Sequence, residues 1–189
     1  MDRKILNDRR KSLEESFFQK HDRKLLDELR DKARARKEKE ALAIAMKITN
    51  DDVLDELMKS GFTLETYEAL TLIPLVEVAW ADGRLTKDER QAILEAAMET
   101  GIDPLEPSYA LLMKWMEEDP GDELLELWEN YVRGLRSELP EPAMAAVRDE
   151  VLRRSREVAE ATRGLFGFGN RINKAERKSI ARMEKALGL

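Results

Sequence analysis

The sequence predicts an all-α protein, an orthogonal or antiparallel bundle of about eight helices with a weak internal repeat and a long N-terminal helical extension. Three observations carry that prediction. Apolar residues recur at three- and four-residue spacings along most of the chain, the period of a helix face. Aromatic side chains make up only 6% and β-branched residues are sparse, which argues against sheets. Charged residues make up 38%, well above the usual quarter or so, as suits helices with long solvated faces.

Residues 2 to about 47 contain no Gly or Pro and read as one long helix, or two with a break near Phe18–His21. Leu6, Leu13, Phe17, Phe18, Leu25, Leu29 and Ala33 form a stripe too narrow for a core-facing helix and closer to a coiled-coil seam. Two domains follow from this: a charged arm over 1–47 and a bundle over 48–189. In the bundle, Thr49-Asn50-Asp51-Asp52 starts a helix whose inner face is Val53, Leu54, Leu57 and Met58, closed by Gly61. Thr63 opens the next helix, which runs through Tyr67 and Leu70 to Trp80. It is apolar on nearly every side, so it is expected at the centre of the core, kinked or restarted at Pro74.

Asp82-Gly83 turns the chain. Thr86 with Glu89 three residues later is a capping box for a helix carrying Ile93, Leu94, Ala97 and Met98, ended by Gly101. Pro107-Ser108 starts a short helix with Leu111, Leu112 and Trp115. The turn Glu118–Asp122 precedes another helix, with Leu124, Leu125, Leu127, Trp128, Tyr131, Val132 and Leu135. Leu139-Pro140-Glu141-Pro142 reads as a stiff linker, and a long helix then covers about 143–163. Gly164–Gly169 reads as a loop with two phenylalanines. Asn173 caps the last helix, with Glu176 completing a second capping box ahead of Ile180, Met183 and Leu187. Trp80, Trp115 and Trp128 fall at helical core positions.

The two capping boxes belong to a repeat. A shift of 87 residues pairs Arg84 with Arg171, Lys87 with Lys174, Glu89 with Glu176, Arg90 with Arg177 and Ile93 with Ile180.

Charge is unevenly spread. Residues 1–47 hold 15 basic and 10 acidic groups, residues 48–147 hold 7 and 23, and residues 148–189 hold 11 and 6. An acidic middle flanked by basic ends suits a basic partner and is a poor surface for nucleic acid. The absence of cysteine removes disulfides, thiolate metal sites and thiol nucleophiles, and fits a cytoplasmic protein. Met1-Asp2-Arg3-Lys4 leads into no apolar run, so no secretory signal is expected. No apolar stretch reaches the roughly 18 residues of a membrane span.

The Ala81-Asp82-Gly83 turn with its capping box, preceded by Val76-Glu77-Val78-Ala79-Trp80 and echoed at 169–177, resembles the TerB-like family over roughly residues 63–189. That family is associated with tellurite resistance and occurs as a domain in membrane-anchored J-domain co-chaperones. The resemblance implies a compact helical module for interaction or sensing in stress responses. It also implies divalent-metal binding through carboxylates at the Asp-Gly turns, which here would be Asp82 and Glu89. In the second turn Gly169 stands in the place of the Asp, while Glu176 is kept.

Read from the residues alone, Asp82 caps its own turn, Glu89 caps Thr86, and Arg84 and Lys87 lie close enough to neutralise them. The EF-hand pattern is absent. The lone histidine, His21, has no catalytic constellation, and no carboxylate pair stands apart from capping or solvation, so no catalytic residue is named. The expected function is a non-enzymatic adaptor that binds a protein partner. Phe17 and Phe18 on the arm and Phe166 and Phe168 in the loop are the candidate contacts, and the arm's stripe allows a homodimer. No cofactor is required. The alternative is a divalent-metal sensor built on Asp82 and Glu89.

Overall fold

The computed structural model describes residues 2–161 and 172–189, with side chains from residue 20 onward apart from 22. Those residues form eight α-helices and a 3-10 turn, with no strand among them. In chain order the helices are α1 (Asp2–Met46), α2 (Asp51–Lys59), α3 (Ile73–Trp80), α4 (Lys87–Glu99), α5 (Pro107–Glu117), α6 (Asp122–Glu138), α7 (Glu141–Ala161) and α8 (Lys174–Leu187), with the 3-10 turn at Tyr67–Leu72. The chain divides into two compact units, Met1–Ala41 and Leu42–Leu189.

The first unit is α1 up to Ala41, and α1 continues through Phe18–His21 without a break. Its surface is held by pairs one turn apart: Lys24–Glu28, Asp27–Arg30, Asp31–Arg34 and Arg36–Glu40. Exposed pairs of this kind each add a few tenths of a kcal/mol, roughly 0.3–0.5, to helix stability.

The second unit begins at Leu42 rather than at residue 48, because the last turns of α1 already belong to the core. Leu42 and Met46 are buried, and Ile48 follows them inside. The left-handed Lys47 reverses the chain between them. Asn50 then caps α2 by accepting from the amides of Asp52 and Val53. The Glu138 carboxylate, at the end of α6, accepts from the amides of Thr49 and Asn50 at 2.7–3.0 Å. Gly134 on α6 lies close to α2, since a Cβ there would meet Val53 Cγ2 at 3.4 Å.

At the centre is α3, which packs against the 3-10 turn, α4, α6, α7 and α8. Its residues Ile73, Pro74, Leu75, Val76, Val78 and Ala79 are buried. The segment before it is not one continuous helix from Thr63. A 3-10 turn runs to Leu72, and α3 starts afresh with Pro74 in its first turn, where the missing amide costs no hydrogen bond. Pro142 plays the same part in α7. The helix starts at Glu141, so the expected linker over 139–142 is shorter than predicted.

Arginines from neighbouring helices close several C-termini. Arg90 on α4 donates to Met116 O, Arg154 on α7 donates to Ala96 O at 2.8 Å, and Arg136 on α6 donates to Ala186 O at 3.1 Å. Met116 O and Ala186 O lack a helical partner, Ala96 O also accepts from the Thr100 amide, and each arginine places a cation at the negative end of a helix.

Candidate functional site

The end of α3, just before the first Asp-Gly turn, and the first half of α8 line one polar cleft. Gly83 takes φ 81°, which frees the chain to leave α3 sharply. Asp82 is exposed, and its Oδ1 accepts from the Arg84 amide at 3.1 Å, an Asx turn. Glu89 is 4% exposed and accepts from both the amide and the hydroxyl of Thr86, at 2.8 and 2.7 Å, while Thr86 Oγ1 accepts from the Glu89 amide. Asn173 and Glu176 repeat the arrangement at α8, with Glu176 7% exposed. All four capping residues therefore sit in complete boxes, and burial of both glutamates shields these hydrogen bonds from water.

The structure separates the two proposed metal ligands by role. Asp82 serves its own turn, and Glu89 is directed into the cap of α4. Among the described residues no group of three or more His, Asp or Glu is arranged to hold a metal ion. Of the proposed partner contacts, Phe17 and Phe18 lie on α1 with side chains outside the described residues, and Phe166 and Phe168 lie outside them altogether. Nearby on α1, Leu25, Leu26 and Leu29 are 49%, 54% and 54% exposed. Positions 25, 26 and 29 are neighbours on a helix surface, so they make one apolar patch among charges.

The cleft has a volume of about 370 Å³. Glu77, Trp80 and Ala81 supply one wall from the end of α3, and Ala175, Lys178, Ser179 and Arg182 supply the facing wall from α8. Asp119, Gly121 and Asp122 close it at the start of α6. Ser179 Oγ donates to Glu77 Oε1 at 3.1 Å. Arg182 is clamped by Glu129, with Nε to Oε1 at 2.6 Å, and reaches Asp122 Oδ1 at 3.3 Å. Burial raises the Glu77 pKa above the usual carboxylate value. The Ser179 hydrogen bond and Arg182 oppose that rise, while Asp122 and Asp119 add to it.

Trp80 is a cleft wall rather than a wholly buried core residue. Trp115 and Trp128 are buried as expected, Trp115 beside Phe62 with ring centroids 6.2 Å apart. Sequence reasoning did not single out Glu77 or the α8 wall. A signal was present in the spacing: 175, 178, 179 and 182 fall on one helix face, as do 77, 80 and 81.

Comparison of the chain with protein-family models, with curated proteins and with solved structures finds no match. Among the described residues no helix is long and apolar enough to cross a membrane.

Proposed function

We propose that this chain is a non-enzymatic intracellular helical adaptor that binds a protein partner through its N-terminal arm. The observation that carries the reading is the Leu25, Leu26 and Leu29 patch, three half-exposed leucines set among the ion pairs of α1. Full burial of a leucine side chain against a partner is worth about 1.5–3 kcal/mol, so three such residues are a substantial anchor. The fold of the second unit does not call on them, since its core is supplied from Leu42 onward. The resemblance of the Asp82 and Asn173 turns to the TerB-like family is the ground for proposing a stress-response role.

The test is affinity capture from native lysate with the full chain and with a chain lacking residues 1–41. The cut is set at Ala41 because removing Leu42 and Met46 would open the core. Both chains should be helical and melt cooperatively, and only the full chain should retain the partner. Equal retention by both, or unfolding of the shorter chain, would overturn the role of the arm.

A further inference from the structure

A second groove shares Arg182 with the cleft. It has a volume of about 540 Å³ and is lined by Glu129, Arg133, Arg136, Arg182, Lys185 and Ala186. Arg133 and Arg136 stand one turn apart on α6, and Arg182 and Lys185 stand one turn apart on α8. Four cations thus meet a single carboxylate in a chain whose net charge is −6.

Three carboxylates of the two helices are already engaged. Glu129 is committed to Arg182 at 2.6 Å, Glu138 to the amides of Thr49 and Asn50, and Glu184 to Arg156 at 3.1 Å. Arg133 donates to Asn130 Oδ1 at 2.9 Å and Arg136 to Ala186 O at 3.1 Å. Both acceptors are neutral, with Asn130 in turn donating to Glu56 on α2 at 2.8 Å, so neither guanidinium is in an ion pair among the described residues. The Lys185 ammonium makes no ion pair or hydrogen bond among the described residues.

We propose that this groove binds a multiply charged phosphate, of pyrophosphate size or larger, through Arg133, Arg136 and Lys185. Like charges held together favour a polyanion that relieves their repulsion. Guanidinium forks match phosphate oxygens in pairs, and the lysine adds a point charge. The lining holds no aromatic ring and one apolar residue, Ala186, so recognition falls on the phosphate and not on a base or an acyl chain. Arg182, already neutralised by Glu129, forms a fixed wall rather than a ligand.

The test is calorimetric titration of the full chain with sodium pyrophosphate, and separately with a doubly phosphorylated serine peptide, at constant ionic strength. Saturable one-to-one binding is expected, weakened at least tenfold by the double variant Arg133→Gln/Lys185→Gln and unchanged by Lys87→Gln, which removes a cation outside the groove. Tighter binding of the peptide would assign the phosphate to a modified protein; tighter binding of pyrophosphate would assign it to a free anion. Arg136 is left intact because it caps α8. Amide NMR of the unaltered chain gives an independent reading, with pyrophosphate shifting residues 133–136 and 182–186. No saturable binding of either probe, equal affinity in the double variant, or shifts confined to other helices would overturn the proposal.

Discussion

The Trp80 indole donates to the carbonyl of Trp115 at 2.9 Å, which ties the end of α3 to the end of α5. One residue further on, Met116 O accepts from Arg90. The last turn of α5 is thus closed by two side chains from other helices, one on either side of the Asp82 turn. Trp80→Phe removes the donor together with the five-membered half of the indole. It should cost about 1 kcal/mol and lower Tm by roughly 2–4 °C in a chain of this size. Thermal unfolding followed by circular dichroism checks it.

The paired capping boxes make a second prediction. Thr86→Ala and Asn173→Ala each remove one N-cap, at about 1 kcal/mol apiece within the usual 0.5–2 kcal/mol range. The two boxes share no partner, so the double variant should lose the sum. Urea titration measures all three. A double variant no worse than either single one would show that the boxes are coupled.

The same capping geometry bears on metal. Asp82 Oδ1 and the Glu89 carboxylate already accept backbone and hydroxyl donors. Millimolar calcium, magnesium, manganese or zinc should therefore leave Tm unchanged. A rise that Asp82→Ala abolishes would restore the metal-sensor reading.

The Glu77 carboxyl is held above its usual pKa, chiefly by burial. Between the ordinary value and the raised one the folded chain binds more protons than the unfolded chain, so stability falls as pH rises through that window. Glu77→Gln should therefore be more stable than the parent near about pH 7 and should lose that advantage near about pH 3.5, where both states are protonated. Melting curves across that range give the sign directly. An advantage that grows on acidification would contradict it.

Much of the fold is legible in the chain because its punctuation is local. Asn50, Thr86 and Asn173 as caps, and Gly61 and Gly101 just past helix ends, act within a single turn, and the structure places them there. The all-apolar segment ending at Trp80 has nowhere to go but the centre. Where the reading strayed, the cause was tertiary. Leu42 and Met46 look like any sparse apolar positions on a charged helix until Ile48 and α2 fold beneath them. Pro74 restarts the helix, one of the two outcomes expected of it, but a 3-10 turn precedes it, and Pro142 opens α7 where a linker was expected, since the local sequence does not choose between breaking a helix and opening one. Of the candidate site, the capped turns could be read directly. The Glu77–Ser179 contact joins residues 102 apart in sequence, and no local pattern announces such a pair.

The contrast between the ends of α1 is itself testable. Leu42→Ala should cost about 2–5 kcal/mol, as a fully buried leucine does, whereas Leu25→Ala should change stability by no more than about 0.5 kcal/mol. Comparable losses at both positions would mean that the arm contributes to the folded core.

The most direct measurement is partner capture with the full chain carrying Leu25→Ser, Leu26→Ser and Leu29→Ser together. An unchanged melting temperature and loss of the protein that the parent chain retains are the expected results. Retention of that protein at parental levels would contradict the central claim that the exposed leucine patch of α1 is the adaptor's contact.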